Sequence, residues 1–178
     1  MMLELLCFRI VVVCIFMIAA WRLGDWKNWQ RYYPTILFVM TVNLSAGYLS
    51  YHHSLWNYSK DFVVTTETIV EFVNTYVNLP SAALIYLSLF PAHGVLRQRV
   101  YLVLWVVIFG TLEFIDHYVF HGIFYTNSWS WAHSVIFDIA MFYIIRVHFI
   151  NPWKGWVLSF IVAAFIITQF GFLTAEMK

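Results

Sequence analysis

Apolar runs of about twenty residues recur along almost the whole chain, and they decide what it can fold into. They lie at Met1–Leu23, Pro34–Tyr51, Thr66–Phe90, Arg99–His121, Trp131–His148 and Trp153–Thr174. A helix needs about 20 residues to cross a hydrocarbon layer of roughly 30 Å, and each run is that long or nearly so. A segment in lipid must satisfy its backbone N–H and C=O groups internally. The alternating pattern of a barrel strand is absent, so the runs read as helices. Charged residues make up only 11% of the chain, where a soluble domain carries about 25%. The mean hydropathy is +0.76. The expected fold is all-α: a polytopic transmembrane bundle of about six helices, forming one domain over residues 1–178.

The connections are short and rich in interfacial residues. Gly24–Tyr33 reads GDWKNWQRYY, the mixture of aromatic rings and cations that suits the headgroup layer. Pro34 is expected at the first turn of the second helix, where its missing N–H is harmless. Asn151-Pro152 breaks the chain between the last two helices, and Pro80 is expected to kink the third. Arg9 precedes the apolar run Ile10–Ala20, yet Ile18-Ala19-Ala20 is a poor cleavage site, so this segment is expected to stay as a helix rather than act as a signal peptide. Cys7 and Cys14 read as apolar packing residues.

Cations set the orientation. Arg22, Lys27, Arg31, Arg97, Arg99, Arg146 and Lys154 fall on or beside the first, third and fifth connections, whereas Lys60 and Lys178 fall on the opposite side. The positive-inside rule puts the odd connections in the cytoplasm and both termini outside it. Arg146 and His148 read as cytoplasmic interface anchors, and Arg9 as a side chain reaching outward from the first helix. A net charge of +1 excludes a nucleic-acid footprint.

Ionisable side chains at membrane depth are costly and point to function. The third helix carries Glu67, Glu71, Asn74 and Asn78, spaced four, three and four apart, which is one helical face. The fourth carries Glu113, His117 and His121 at intervals of four, with Asp116 beside them. The fifth begins with His133 and Ser134 and continues to Asp138. All lie toward the outer ends, so helices two to five are expected to enclose a polar pocket open to the outside, shielded by helices one and six.

Carboxylates and imidazoles at i, i+4 spacing suit Zn or Fe, and Glu67, Glu71, Glu113, His117 and His121 could supply ligands from two helices. The Glu-x-x-His pattern of di-iron bundles and HExxH are both missing. Asn74, Asn78, Asp116, His133 and Asp138 complete the set that would line a ligand pocket. The same groups could instead relay protons, or hold helices together at roughly 0.6 kcal/mol per hydrogen bond.

The segments DWKNWQRYYPTILFVM (Asp25–Met40), LWNY (Leu55–Tyr58) and RVHFINP (Arg146–Pro152) resemble an uncharacterised family of small multi-pass membrane proteins of spore-forming Firmicutes, over most of the chain. The resemblance implies a bacterial plasma-membrane location and an all-helical fold. It carries no catalytic residues.

The leading expectation is therefore an integral membrane protein whose outward-facing polar pocket binds a divalent metal or a small polar ligand. A proton-coupled small transporter or channel and a non-catalytic accessory or assembly protein are the alternatives. An enzyme using metal-bound water is left open, since no catalytic motif supports it. The lipid bilayer is the expected partner, with a second copy or another membrane protein beside it.

Overall fold

A computed structural model describes residues 2–61, 63 and 66–172. The last residues of the sixth apolar run and the charge at Lys178 lie outside them. The elements run α1 (Met2–Leu23), α2 (Trp29–Leu49), β1 (Trp56–Tyr58), α3 (Glu67–Val73), α4 (Leu79–Ser88), α5 (Val95–Tyr118), β2 (Ile123–Tyr125), α6 (Trp131–Ile150) and α7 (Pro152–Gln169). Among the described residues, α1, α5, α6 and α7 are each long and apolar enough to cross a membrane. The helix α2 is as long, and α3 and α4 join through a π-helical turn at Asn74–Asn78 into another rod of that length.

The rods alternate in direction, which follows from what meets at each end. At one end, β1 and β2 pair, Arg9 of α1 reaches Ser59 and Gly122, and His53 Nε2 bonds the Phe170 carbonyl just past α7 at 2.8 Å. At the opposite end, the Asp25 amide donates to Ser88 Oγ at 3.0 Å and Tyr32 stacks on Phe149. We call these the roofed end and the base.

The core sits toward the base, around α4. Every residue from Ala82 to Leu87 is buried, and α1, α2 and α6 all pack on this helix. Its Tyr86 is fully buried among Phe90, Tyr101, Trp105 and Phe142, with ring centroids 5.1 to 5.8 Å apart. Offset and edge-on pairs at this spacing each contribute roughly 0.5–1.5 kcal/mol beyond simple burial. A smaller apolar cluster of Leu55, Trp129 and Phe172 sits at the roofed end.

Pro34 departs from the position expected for it, and Pro80 lies just past the π turn. The helix α2 starts at Trp29 after a 3₁₀ turn at Trp26–Asn28, so Pro34 lies inside it rather than at its first turn. The carbonyl that loses its donor is that of Gln30, an exposed residue at the helix end, where water can replace the bond. Buried Tyr32 holds this first turn in place, donating to Asp25 Oδ2 at 3.1 Å. Pro80 would clash with the carbonyl four residues back in a regular helix. The π turn just before it widens the helix by a residue per turn and takes up that clash.

Candidate functional site

A two-stranded antiparallel sheet roofs the polar residues at one end of the bundle. Trp56 pairs with Tyr125, Asn57 with Phe124 and Tyr58 with Ile123. Strand side chains alternate between faces, so Trp56, Tyr58, Ile123 and Tyr125 share the half-buried face while Phe124 is exposed. The two tyrosines reach down to different helices. Tyr125 Oη donates to Glu113 Oε1 on α5 at 2.8 Å. Asn74 Nδ2, in the π turn, donates to Tyr58 Oη at 3.3 Å, and Asn78 Nδ2 donates to Asn74 Oδ1 at 2.7 Å. Burial pushes both phenols well above the ordinary tyrosine range, and the nearby Glu113 raises Tyr125 further. Both therefore remain protonated.

Arg9 fastens the roof to α1. Its guanidinium donates to Asp61 Oδ2 at 2.6 Å, to the Ser59 carbonyl at 2.9 Å and to the Gly122 carbonyl at 3.3 Å. One side chain thus binds the loop after β1 and the loop before β2. The two loops also bind each other. Ser59 N donates to the Gly122 carbonyl at 2.8 Å and Ser59 Oγ to the His121 carbonyl at 2.5 Å, while at the other end of the sheet Thr126 Oγ1 donates to the Ser54 carbonyl. Arg9 points inward to these partners and not outward to the headgroups, which corrects the sequence-based expectation. A guanidinium at this depth is stable only with such acceptors.

Beneath the roof lie three carboxylates. Asp116 and Asp138 are buried, with 8% and 6% exposure, and Glu113 is half-buried. Glu113 is near enough for its charge to act on Asp116, Asp138, Tyr58 and Tyr125. Ser134, beside Glu113, accepts from Trp129 Nε1 at 2.9 Å. Among the described residues, five buried side-chain atoms have no hydrogen-bond partner: the acceptors Asp116 Oδ1, Asp138 Oδ2 and Asn78 Oδ1, the donor Arg9 Nε and, toward the base, the Tyr86 hydroxyl. Leaving such a group unpaired costs about 1–3 kcal/mol, so nearly all buried polar atoms in proteins are paired.

Several residues expected at a metal centre stand elsewhere. The intervals of four from Glu113 to His117 and His121 require an unbroken helix, but α5 ends at Tyr118. His121 lies beyond that end with φ +52° and is exposed. It takes the left-handed position that closes the helix, where Gly122 N donates back to the Asp116 carbonyl at 2.8 Å. His117 bonds the Ile123 carbonyl through Nδ1 at 2.7 Å and lies against Tyr125 and Tyr118. Glu71 is exposed and Glu67 half-buried at the start of α3. The π turn ends the regular four-three-four stripe, so Asn74 and Asn78 continue the polar network without Glu71. Among the described residues no three His, Cys, Asp or Glu side chains are grouped as a metal ion needs.

His133 belongs to the start of α6. Its Nδ1 pairs with Ser130 Oγ at 2.8 Å, and its ring meets Trp129 and Phe170. At the base, His148 is buried rather than interfacial. It stacks on Phe38 with centroids 3.9 Å apart, and its Nδ1 lies 3.0 Å from Thr35 Oγ1. Arg146 lies over the Phe90 ring at 4.2 Å.

The sequence groups Glu113, Asp116, Asp138, Asn74 and Asn78 as polar residues toward one end, reads Arg9 as reaching outward, and does not single out Asp61, Tyr58, Tyr125 or Gly122. The available signal was Arg9 itself, a lone cation inside an apolar run. Comparison with known protein families, with curated proteins and with solved structures finds no match.

Proposed function

We propose that this chain is a multi-pass membrane protein whose extracytoplasmic half binds a small, donor-rich polar ligand, such as an organic ammonium, beneath the β1–β2 roof. The base carries Arg22, Lys27, Arg31, Arg97, Arg99, Arg146 and Lys154, which by the positive-inside rule faces the cytoplasm. Six spans with both termini outside agree with the alternation of the rods. The resemblance carried by the Trp- and Tyr-rich first connection supports a bacterial plasma membrane.

The observation that carries the reading is the trio of orphaned acceptors, Asp116 Oδ1, Asp138 Oδ2 and Asn78 Oδ1. A site rich in unpaired acceptors and carboxylates selects a partner that brings N–H or O–H groups and positive charge. The closed aromatic packing of Tyr86, Trp105 and Phe142 toward the base favours binding over passage across the membrane.

Thermal unfolding of the detergent-solubilised chain tests this, with methylammonium chloride set against sodium chloride at equal ionic strength. Methylammonium is expected to raise the melting temperature of the wild type and to leave a Glu113→Gln/Asp138→Asn variant unmoved. Equal responses of the two proteins would remove the ligand reading.

A further inference from the structure

A groove at the base, formed where α6 turns into α7, has the chemistry of a lipid site. Among the described residues its volume is about 610 Å³, and its walls are Tyr143, Val147, Ile150, Val157 and Leu158, with Lys154 at its foot. The turn that shapes it is a single residue. Asn151 Oδ1 caps α7 by accepting from the Lys154 amide at 3.2 Å, which fixes the first turn and with it the Cα of Lys154. Gly155 lets the two helices close up, since a Cβ there would overlap the His148 side chain. The groove thus runs from an apolar wall inside the bilayer to a cation at its edge.

Charge at this end is strongly one-sided. The base holds seven Lys and Arg side chains, and among the described residues its one carboxylate is Asp25, which already accepts from Asn28 and Tyr32. Arg22, Arg31 and Arg146 lie over the rings of Trp21, Phe149 and Phe90. Lys154 has neither a carboxylate nor a ring among the described residues. A second groove on α5 repeats the arrangement, with Leu96, Val100 and Leu104 as walls and Arg97 at the base.

We infer that the α6–α7 groove binds an anionic phospholipid of the cytoplasmic leaflet, one acyl chain along Tyr143, Val147 and Leu158 and the phosphate on Lys154. The apolar wall alone would accept any lipid. The Lys154 ammonium supplies the preference for net negative charge, because an anionic headgroup adds attraction that a zwitterionic one cancels. The inference requires that the chain spans the bilayer but is independent of any ligand beneath the roof.

Native mass spectrometry of the full chain in detergent micelles tests it, by titration with dioleoylphosphatidylglycerol or dioleoylphosphatidylcholine. The wild type is expected to bind the first phosphatidylglycerol about fivefold more tightly than phosphatidylcholine, the ratio that one interfacial cation provides. Lys154→Gln removes that preference, whereas Lys27→Gln, at the same end but off the groove, keeps it. Val157→Trp, which fills the groove, weakens both lipids. Equal binding of the two lipids by the wild type, or an equal effect of Lys154→Gln and Lys27→Gln, would overturn the proposal.

Discussion

Gly122 has room for a hydrogen and nothing larger. A Cβ there would overlap the Asp116 carboxylate and the Leu5 side chain. Gly122→Ala must therefore push the roof off α5 or turn Asp116 away, at a cost of about 1–3 kcal/mol in thermal unfolding. Its neighbour gives the opposite result. His121 holds a left-handed φ of +52° with an exposed ring, so His121→Gly relieves strain at a helix end. It should leave stability unchanged or raise it by about 0.5–1 kcal/mol. A loss of several kcal/mol in that variant would return His121 to the polar network. The sequence makes His121 look like a ligand because spacing is legible and helix ends are not. Nothing in Tyr118-Val119-Phe120 announces a stop, and the signal is Gly122, one residue later than the left-handed position it accompanies.

At the scale of elements, the roof depends on one ion pair that joins α1 to two loops. The Asp61 side chain is fully buried in the pair and that of Arg9 is 13% exposed. Removing the guanidinium from such a pair costs about 3 kcal/mol. Arg9→Gln is therefore expected to speed hydrogen exchange across Leu55–Ser59 and Gly122–Thr126 while leaving α4 protected. Unchanged exchange in the strands would mean that strand pairing alone holds the roof. The pair was invisible in the sequence, because Arg9 and Asp61 are 52 residues apart and neither has a motif around it. The strands are three residues each, too short for alternation to register. The long helices were legible because apolar length is a local property.

The turn between α1 and α2 answers to pH. Hydrogen bonds from Asn28 and Tyr32, with the Arg31 charge, hold the Asp25 carboxyl below its ordinary 3.8. A carboxylate whose folded pKa is lowered stabilises the protein above its unfolded pKa, and that contribution fades as pH falls through the folded value. The stability gap between wild type and Asp25→Asn should thus be larger at about pH 7 than at about pH 2. A gap of the same size at both values would show that the carboxylate charge contributes nothing to the turn.

For the whole molecule, two ends of unlike chemistry follow from one asymmetry of sequence. Carboxylates and other hydrogen-bond acceptors collect under the roof, and cations collect at the base. The separation was legible along the chain as soon as the apolar runs were counted. What stayed hidden was closure: the polar residues were expected to line an open pocket, yet the loops that join the helices fold over them. The central claim is that these two connections meet as a registered sheet above the carboxylates. It is tested most directly by cysteines at the paired positions 57 and 124, in a chain with Cys7 and Cys14 replaced by Ala and oxidised in intact membranes. Facing residues in adjacent strands bring their Cβ atoms to about 4.5–5.5 Å, within reach of a disulfide after small adjustment. The account predicts an intramolecular Asn57→Cys/Phe124→Cys cross-link that dithiothreitol reverses, and little cross-linking between Asn57→Cys and a cysteine at Ser128. Efficient cross-linking of the second pair, or of neither, would contradict it.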